Sequence, residues 1–455
     1  MSIVMKFGGT SVADPDAIDR LIGIVRRQKA KDAAAPIVVV SALAGVTDTL
    51  VAVVALAEEG EGDRAAADLR ALLDRHIDVA SRVTTGSRDA VLAHVKKEFD
   101  ELTGLVHALA VLREVSPRSL DAVLAAGELA SSRIVSAAMN DHQLPSAWVD
   151  ARRVLVTDDE HGGASPDIAR TEHCCRGRIA PVVASGQVPV LGGFIGATVS
   201  GVTTTLGRGG SDYSAAVFGA SLDAAEIQIW TDVDGMLTAD PRIVPRPHVV
   251  PRLSFAEASE LAYFGAKVLH PSTILPAVAK NIPVRILNAR RPENTGTLIT
   301  ADGAQSKDSS RQLTAIACKR EVTVIDITSS RMLMAHGFLR RLFEVFERFK
   351  TPVDVVTTSE VSVSVTIDDT RRLDAIVDNL GNFAEVSCER DMAIICAVGE
   401  NLRTDAGLFG RAVTALDRIP LRLVSQAASR RNITFVLRNS DVRHAMTRLH
   451  ETFFR

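Results

Sequence analysis

Short apolar runs and longer helical patterns alternate through residues 1–300. Residues 36–41 and 188–191 are runs of aliphatic and β-branched residues with the length of a buried strand. Residues 16–29 and 120–139 instead repeat their apolar positions with the spacing of a helix. This alternation is typical of a mainly parallel sheet with helices on both faces. We therefore predict an α/β domain over residues 1–303.

The last third of the chain has a different order of elements. A polar stretch follows Gly303 and has the composition of a linker. Beyond it, a helix and two strands that follow Gly337 recur after Gly407, which indicates the duplication of a small βαββ unit. We predict a linker at 304–313, a first α+β domain at 314–390 and a second at 391–455.

The charge balance argues against a nucleic-acid partner. The 455 residues include 52 Lys and Arg against 55 Asp and Glu, a net charge of −3, so no basic field covers the molecule. No uninterrupted apolar run approaches the roughly 20 residues of a membrane span, and the first residues lack a signal-peptide pattern. We expect a cytoplasmic protein that binds small molecules and contacts no membrane.

The cysteines carry no disulfide or metal signature. Cys174, Cys175, Cys318, Cys388 and Cys396 show no Cys-x-x-Cys spacing, and the adjacent pair is too close for an ordinary disulfide. Reduced thiols are expected in the cytoplasm. Because no other cluster of metal-binding side chains is present in the sequence, we predict no metal site built by the protein alone.

A glycine-rich turn near the start of the chain carries the first chemical signal. A strand pattern ends at Lys6 and Phe7 and leads through Gly8 and Gly9 into a helical pattern. Backbone N–H groups in such a turn can bind a phosphate, although an ordinary βα turn beside a solvated lysine has the same pattern. The lysine precedes the glycines, so the turn is neither a Walker A loop nor a dinucleotide-binding turn.

A second glycine-rich turn makes an anion site the better interpretation. The residues from Gly207 to Asp212 read Gly-Arg-Gly-Gly-Ser-Asp and again lead into a helical pattern. Arg208 in this turn can hold a carboxylate at two points, and Asp212 can fix a neighbouring lysine. Two turns of this kind in one chain are hard to attribute to turn formation alone.

Four motifs together resemble the aspartokinase family of amino-acid kinases. They are Lys-Phe-Gly-Gly-Thr-Ser-Val at 6–12, the turn at 207–212, Trp-Thr-Asp-Val-Asp-Gly at 230–235 and Phe-Gly-Ala-Lys-Val-Leu-His-Pro at 264–271. The resemblance covers the whole chain and implies a monofunctional enzyme that phosphorylates the side-chain carboxylate of L-aspartate with ATP. It implies Mg²⁺ held mainly by the ATP phosphates. Such an enzyme performs the first step of lysine, threonine and methionine biosynthesis.

The resemblance assigns the catalytic and acceptor-side residues. It implies that Lys6 reaches the transferring phosphoryl group and that Asp212 holds the lysine in place. Arg208 would clamp the α-carboxylate of aspartate, and Glu128 would receive its α-ammonium. By periodicity alone, Glu128 reads more readily as a surface residue that complements a helix dipole. Further hydroxyl contacts are implied for Ser41, Thr47 and Ser211.

The resemblance also implies a nucleotide site. Its residues would be Lys6, Phe7, Gly8, Gly9, Thr231, Asp232, Leu237, Arg242, Lys267 and Val268. Lys267 and Arg242 would contact the phosphates. Leu237 departs from the family pattern, which often has tyrosine there, so weaker packing of adenine or ribose is expected. For Asp234 and Asp240, ordinary turn formation is the favoured interpretation.

The last third resembles the paired ACT domains of lysine-sensitive aspartokinases. That resemblance implies feedback inhibition by L-lysine, a homodimer formed through the ACT domains, and a strand at 314–318 donated to the second of them. Effector contacts are implied for Met332, Gly337, Phe338, Leu339, Val353, Asp354, Thr358, Ser359 and Glu360. Asp354 and Glu360 offer negative charge to a cationic side chain. A stripe of Phe and Met at helical spacing also suits core packing, and Ala335 replaces a hydroxyl residue of some relatives.

Two other functions fit parts of the sequence. A kinase for another acidic amino acid would share the fold, but the turn at 207–212 and the paired ACT pattern occur together here. An amino-acid sensor that has lost catalysis would need only the last third. Such a sensor has no reason to retain Lys6, Arg208, Asp212 and Lys267, so we favour the kinase.

Overall fold

Contacts within the chain divide it into two units. The first comprises Met1–Met236, Pro251–Phe255 and Val268–Ala304, and the second comprises Leu237–Val250, Ala256–Lys267 and Gln305–Arg455. The structure is a computed structural model that describes residues 2–32, 34–265, 271–303, 313–329, 336–400, 402–403, 405–426 and 430–454. The predicted site residues Lys267, Val268 and Met332 and most of the predicted linker lie outside the described residues.

The first unit contains strands β1 to β11 and most of the first ten helices. The strands are β1 (Ile3–Phe7), β2 (Ile37–Val40), β3 (Ser146–Trp148), β4 (Val156–Thr157), β5 (Val188–Gly192), β6 (Ile195–Thr198), β7 (Thr203–Thr205), β8 (Glu226–Thr231), β9 (Arg252–Ser254), β10 (Val284–Asn288) and β11 (Thr297–Thr300). The helices are α1 (Pro15–Lys31), α2 (Val46–Glu59), α3 (Gly62–Val83), α4 (Arg88–Leu112), α5 (Pro117–Asp141), α6 (Ile168–Arg178), α7 (Ala180–Ala184), α8 (Gly210–Ser221), α9 (Phe255–Tyr263) and α10 (Leu275–Ala279). Short 3-10 turns lie at Gly9–Ser11, Ala151–Arg153 and Pro271–Ile274. After Phe255, α9 belongs to the second unit.

An eight-stranded sheet forms the centre of the first unit. Its strand order is β3-β5-β2-β1-β8-β10-β11-β9, and every neighbouring pair is parallel except β10 with β11. Lys6 lies opposite Val39 of β2 and Ile229 of β8. The predicted α/β architecture is confirmed. The carboxyl ends of the central strands meet at one edge, which is where ligands of such sheets bind.

The helices of the first unit begin at recognisable caps and bury apolar faces. α1 begins at Pro15 with Asp14 accepting a hydrogen bond from the Ala17 N–H at 2.8 Å. α5 also begins at a proline, with Ser116 as its cap. By length and composition α5 is apolar enough to cross a membrane, but 78% of its apolar stretch is buried inside the unit. Its apolar character is therefore explained by its place in the core.

The second unit contains a six-stranded antiparallel sheet with helices packed on it. Its elements are β12 (Ala315–Thr328), α11 (Phe338–Arg348), β13 (Val356–Thr358), β14 (Ser362–Ile367), α12 (Leu373–Gly381), β15 (Glu385–Val398), α13 (Ala406–Ala415), β16 (Leu423–Ser425), β17 (Asn432–Arg438) and α14 (Val442–Phe453). The strand order is β13-β14-β12-β15-β17-β16. The repeated pattern of strands and helices in the sequence corresponds to the two halves of this sheet.

Strand β12 belongs to both halves of the sheet. It pairs with β15 from Ala315 to Thr328, with register shifts between Lys319 and Val324. Before the shifts, Ile316 packs in a core around α13 and α14, and after them Ile325 packs in a core around α11 and α12. The strand predicted at 314–318 is thus the first part of a longer one.

Two segments that precede residue 303 pack in the second unit. Ala239, Ile243 and Val244 are buried in the core around α13 and α14. The Thr238 hydroxyl lies 2.9 Å from Nε2 of His450, and the Thr238 carbonyl accepts a hydrogen bond from Ile316 N–H. These contacts cut across the continuous 1–303 domain that the sequence predicts. The boundary at 303 stays a prediction.

Candidate functional site

The ends of the central strands of the first unit form the edge at which most predicted site residues meet. The Gly8 N–H donates to the Trp230 carbonyl at 3.1 Å, and the Ser41 N–H donates to the Phe7 carbonyl at 3.0 Å. The Gly193 N–H donates to the Val40 carbonyl at 2.8 Å. These bonds extend the ladder past the strands, so the turns after β1, β2 and β5 lie side by side.

An ion pair connects the turn after β1 to the start of α8. Lys6 Nζ lies 2.6 Å from Asp212 Oδ1, and the two side chains are 12% and 14% exposed. A Cβ placed on Gly8 would stand 3.6 Å from the same Nζ, so the ammonium lies over the glycine turn. Positive charge, turn N–H groups and a helix N-terminus converge there, which is the chemistry that binds a phosphate.

The start of α8 is held tightly against the turn after β5. A Cβ on Gly193 would lie 2.8 Å from Ser211 Cβ, so only glycine permits this approach. The Ser214 hydroxyl accepts a hydrogen bond from the Phe194 N–H at 2.9 Å and donates to the Gly210 carbonyl at 2.8 Å. Ser211 and Asp212 therefore have fixed positions at the edge of the sheet.

Glu128 is buried in α5 beside the same edge and is not the surface residue that periodicity favours. It is 3% exposed, and its Oε2 has no hydrogen-bond partner among the described residues. Burial raises the pKa of Glu128 to about 8, and the Ala42 N–H and the charge of Lys6 act against this rise. A carboxyl group in this state gains a partner and becomes ionised when a cation binds beside it.

Three other predicted substrate residues differ in exposure. Arg208 is exposed in the turn before α8, and no ion pair to it occurs within the described ranges. Ser41 and Thr47 are half-buried, and the Ser41 carbonyl accepts a hydrogen bond from the Ser131 hydroxyl at 2.8 Å. The guanidinium of Arg208 is thus available to an anion.

The end of β8 carries Thr231 and Asp232. The Thr231 carbonyl accepts from the Ala289 N–H at 2.8 Å, while Asp232 is exposed. Asp234 accepts a hydrogen bond from Asn288 Nδ2 at 2.7 Å and pairs with Arg291 at 2.9 Å, which supports its interpretation as a turn former. Phe7 is fully buried and stacks on Trp230, so only its backbone can reach a ligand.

Two predicted nucleotide contacts belong to the second unit. Leu237 is the first residue of the segment that packs there. Arg242 is 75% exposed and is held by Asp240, with Nη2 and Oδ2 2.6 Å apart. The Arg242 N–H also donates to Asp240 Oδ1 at 2.9 Å, so the pair closes a local turn. The proposed phosphate contact of Arg242 stays a prediction.

The predicted effector residues lie around α11 and the β13–β14 hairpin. Gly337 caps α11 with φ +84°, and Phe338 packs against Phe383 of the adjacent core, as the alternative of core packing suggested. Leu339, Thr358, Ser359 and Glu360 are exposed, and Val353 is half-buried. The hairpin turn is closed by a hydrogen bond between the Ser359 and Ser362 hydroxyls at 2.6 Å.

Asp354 already has two partners inside the second unit. Lys319 Nζ lies 2.7 Å from its Oδ1, and the Tyr263 hydroxyl donates to the same oxygen at 2.9 Å. The Asp354 side chain is 3% exposed, and its Oδ2 has no hydrogen-bond partner among the described residues. Neither Lys319 nor Tyr263 was predictable as a partner, because both are distant from Asp354 along the chain.

Two family models match parts of the chain, and known relatives match nearly all of it. A model of the amino acid kinase family matches residues 1–288, and an ACT domain model matches residues 395–453. The chain is 35% identical to lysine-sensitive aspartokinase 3 of Escherichia coli over 99% of both chains. It is 36% identical to chloroplastic aspartokinase 3 of Arabidopsis thaliana, over 100% of this chain and 82% of that one.

The chain belongs to the aspartokinase family. Its fold is similar to E. coli aspartokinase III in complex with aspartate and ADP (R-state), with a TM-score of 0.84, 34% identity and full coverage of both chains. The complex of that enzyme with lysine and aspartate (T-state) gives a TM-score of 0.82 and 35% identity, again over both full chains. The family resemblance and the fold class predicted from sequence are confirmed.

Sequence reasoning missed two residues of the first unit, Phe194 and Asp121. Phe194 has φ +64°, and its ring lies 2.7 Å from where a Cβ on Gly210 would stand. The Gly-Gly-Phe run at 192–194, which begins at the last residue of β5, was the available sign. Asp121 is a fully buried carboxylate on α5. An acidic residue within a strongly apolar helix was the available sign, but its partners lie in segments far along the chain.

The buried state of Glu128 predicts a specific pH dependence of stability. Its pKa in the folded protein exceeds the ordinary value of 4.5, so folding favours the protonated form. The free energy of unfolding is therefore unaffected by this group below pH 4.5. It decreases by about 1.4 kcal/mol per pH unit as the pH rises from there towards about 8. We expect Glu128→Gln to gain stability relative to the wild type between pH 6 and pH 8.

Thermal unfolding of the wild type and of Glu128→Gln at pH 6 and at pH 8 measures this gain in stability. Glu101→Gln, on the exposed face of α4, is the matched control and should track the wild type at both pH values. If the stability difference between Glu128→Gln and the wild type were the same at pH 6 and pH 8, as expected for the control, Glu128 would be ionised at both pH values.

Proposed function

We propose that the protein is an aspartate kinase that transfers the γ-phosphoryl group of ATP to the β-carboxylate of L-aspartate, forming ADP and 4-phospho-L-aspartate. This would be the first step of lysine, threonine and methionine biosynthesis, and we place it in the cytoplasm. The observation that carries the proposal is the Lys6–Asp212 pair over the glycine turn, at the N-terminus of α8. The aspartate and ADP of the similar E. coli structure support it.

The proposed mechanism relies on position and charge. Phosphoryl transfer requires in-line placement of donor and acceptor and stabilisation of the transferring group. Arg208 would hold the α-carboxylate of aspartate at two points, and Glu128 would bind its α-ammonium. The β-carboxylate remains free to attack and is already ionised at neutral pH, so no general base is needed. Lys6, oriented by Asp212, would neutralise charge that develops on the phosphoryl oxygens.

The charge of the proposed aspartate-binding residues is complementary to that of the substrate. The unpartnered Oε2 of Glu128 can accept a hydrogen bond from an ammonium, which would also compensate the carboxylate once it ionises. Ser41, Thr47 and Ser211 would contribute hydroxyl contacts. The surroundings of Glu128 therefore favour an amino acid over a substrate without an amino group.

The proposal includes Mg²⁺ bound mainly through ATP. Within the described ranges no group of three His, Cys, Asp or Glu side chains could hold a metal ion. Mg²⁺ commonly keeps its waters and binds to substrate phosphates, and the exposed carboxylate of Asp232 could approach it. When bound, Mg²⁺ would neutralise phosphate charge. Thr231, Asp232, Leu237, Arg242, Lys267 and Val268 are the proposed remaining nucleotide contacts.

We further propose that L-lysine inhibits the enzyme through the second unit. The name of the E. coli relative and the lysine in its T-state structure support this proposal. Asp354 binds the ammonium of Lys319 through one oxygen and keeps the other oxygen as an acceptor. A second ammonium, that of the effector side chain, would find a buried negative partner there. The remaining proposed contacts are Met332, Gly337, Phe338, Leu339, Val353, Thr358, Ser359 and Glu360.

A homodimer formed through the ACT domains is the proposed assembly. Leu339 and Phe343, one turn apart on α11, are 40% and 37% exposed, and Val356 and Val361 of the β13–β14 hairpin are also exposed. Exposed apolar side chains on a helix and a hairpin suit an interface with a second copy. Sedimentation of Phe343→Asp against wild type tests this assembly, since a charge there should yield monomers.

The decisive test of the proposed function is an assay of ATP-dependent hydroxamate formation from L-aspartate. Aspartate as the only effective acceptor supports the proposal. Equal or better use of L-glutamate would identify a kinase for another acidic amino acid, and complete inactivity of the folded protein would favour a sensor.

Lys6→Ala should nearly abolish turnover while the fold persists. Removing a group that stabilises developing charge costs on the order of 100- to 1,000-fold in rate. Steady-state kinetics measure the loss, and Lys96→Ala, an exposed lysine of α4, is the control that should retain wild-type turnover. Near wild-type turnover in Lys6→Ala would remove this lysine from the mechanism.

Arg208→Lys should chiefly impair the use of aspartate. A lysine keeps the positive charge but cannot reproduce the planar two-point contact with a carboxylate. We expect a higher KM for aspartate and an unchanged KM for ATP, measured by varying each substrate in turn. A selective rise in the KM for ATP would instead assign Arg208 to the nucleotide.

Asp354→Ala should weaken lysine inhibition while catalysis persists. Coupling free energies of about 1–3 kcal/mol correspond to 5- to 150-fold changes in affinity, so the lysine concentration for half-inhibition should rise within that range. Asp369→Asn is a suitable control because Asp369 is held by Arg371 on the surface. Inhibition by threonine without any response to lysine in the wild type would contradict the proposed effector.

A further inference from the structure

Asp121 is a fully buried carboxylate that connects three segments of the first unit. It lies in α5 and is 0% exposed. The Thr205 hydroxyl donates to its Oδ1 at 2.5 Å, and the Gly162 N–H donates to the same oxygen at 3.1 Å. His161 Nδ1 lies 2.7 Å from Oδ2. A carboxylate is costly to bury without such partners, so the network ties β7 and the loop around Gly162 firmly to α5.

The segments that Asp121 holds lead directly to Arg208. Thr205 ends β7, and the chain reaches Arg208 through Leu206 and Gly207. The Thr205 carbonyl accepts from the Ala164 N–H at 2.9 Å, so the loop and the strand are also bonded to each other. Gly207 has φ +73°, and a Cβ there would lie 3.0 Å from the Gly162 carbonyl. The loop thus fixes the start of the turn that presents Arg208.

The same helix carries Glu128. Asp121 and Glu128 are about two helical turns apart, so they project from one face of α5. α5 is buried along most of its length, which keeps it rigid. The position of Arg208 relative to Glu128 therefore depends on two links, the helix itself and the hydrogen bonds of Asp121.

We propose that Asp121 is a positioning residue that sets the separation of Arg208 and Glu128 and thereby the affinity for the amino-acid substrate. The inference rests on the proposed function, in which these two side chains hold the α-carboxylate and the α-ammonium. A substrate bound at both ends is sensitive to their spacing. Asp121 bonds to β7 and to the loop at 161–162, whereas Lys6 lies in β1, Gly8 in the turn after it and Thr231 in β8, so we expect ATP use to change little.

Thr205→Val tests the inference with little change in side-chain volume. The variant removes the hydroxyl that binds Asp121 and keeps the branched shape. Thr204→Val is a matched control, because Thr204 is the buried neighbour in β7 and its hydroxyl bonds to Thr157 rather than to Asp121. Asp121→Asn is the second test variant, since its amide nitrogen cannot accept a hydrogen bond.

We expect Thr205→Val and Asp121→Asn to raise the KM for aspartate about tenfold, the order of one lost hydrogen bond to a charged group. The KM for ATP should stay within about twofold of the wild type, and Thr204→Val should leave the KM for aspartate unchanged. An unchanged KM for aspartate in folded Thr205→Val, or an equal rise in Thr204→Val, would overturn the inference alone. A wild-type protein without aspartate-dependent ADP formation would overturn the proposed function as well.

Discussion

The ion pair between Lys6 and Asp212 fixes the geometry on which the candidate site depends. It joins the end of the first strand to the first turn of α8, two elements that are distant in the sequence. Both side chains are largely shielded from water, so each charge needs the other, and removal of one leaves the second uncompensated. The pair thereby holds the Lys6 side chain at the edge of the sheet. The turns after β1, β2 and β5 of the first unit lie at the same edge.

Helix α5 supplies the opposite constraint, because it places acidic groups inside an apolar core. Asp121 satisfies its charge with hydrogen bonds, whereas Glu128 remains partly unsatisfied and has a raised pKa. A fold gains no stability from an unsatisfied carboxyl group. A ligand that supplies the missing hydrogen-bond partner would explain such a group. Binding sites are commonly less stable than the rest of a fold for this reason.

The sequence was most informative where structure and chemistry are local. β2 at Ile37–Val40 and α5 at Pro117–Asp141 agree with the apolar runs and periodicity that predicted them. The glycine turns were recognisable because only glycine permits such close approaches. In the second unit, the helix and two strands predicted after Gly337 are α11, β13 and β14.

Long-range partners were not predictable by the same reasoning. Hydrophobic periodicity identifies a buried face, but it does not specify the surface that covers it. For that reason the packing of Ile243 in the second unit had no local signal, and neither did the pairing of Lys319 with Asp354. Asp121 is a further example, since a buried acid is interpretable only when Thr205 and Gly162 are seen beside it.

The shared strand β12 has a consequence for the way the second unit unfolds. Its backbone forms one ladder with β15, while Ile316 and Ile325 anchor two separate cores. Opening either core would remove hydrogen-bonded neighbours from the other, so we expect the two halves to open as a single cooperative unit in hydrogen exchange. A ligand that binds only the folded form of one half raises the opening free energy of both. Because β12 is continuous, a ligand bound to one half should protect the whole sheet from hydrogen exchange.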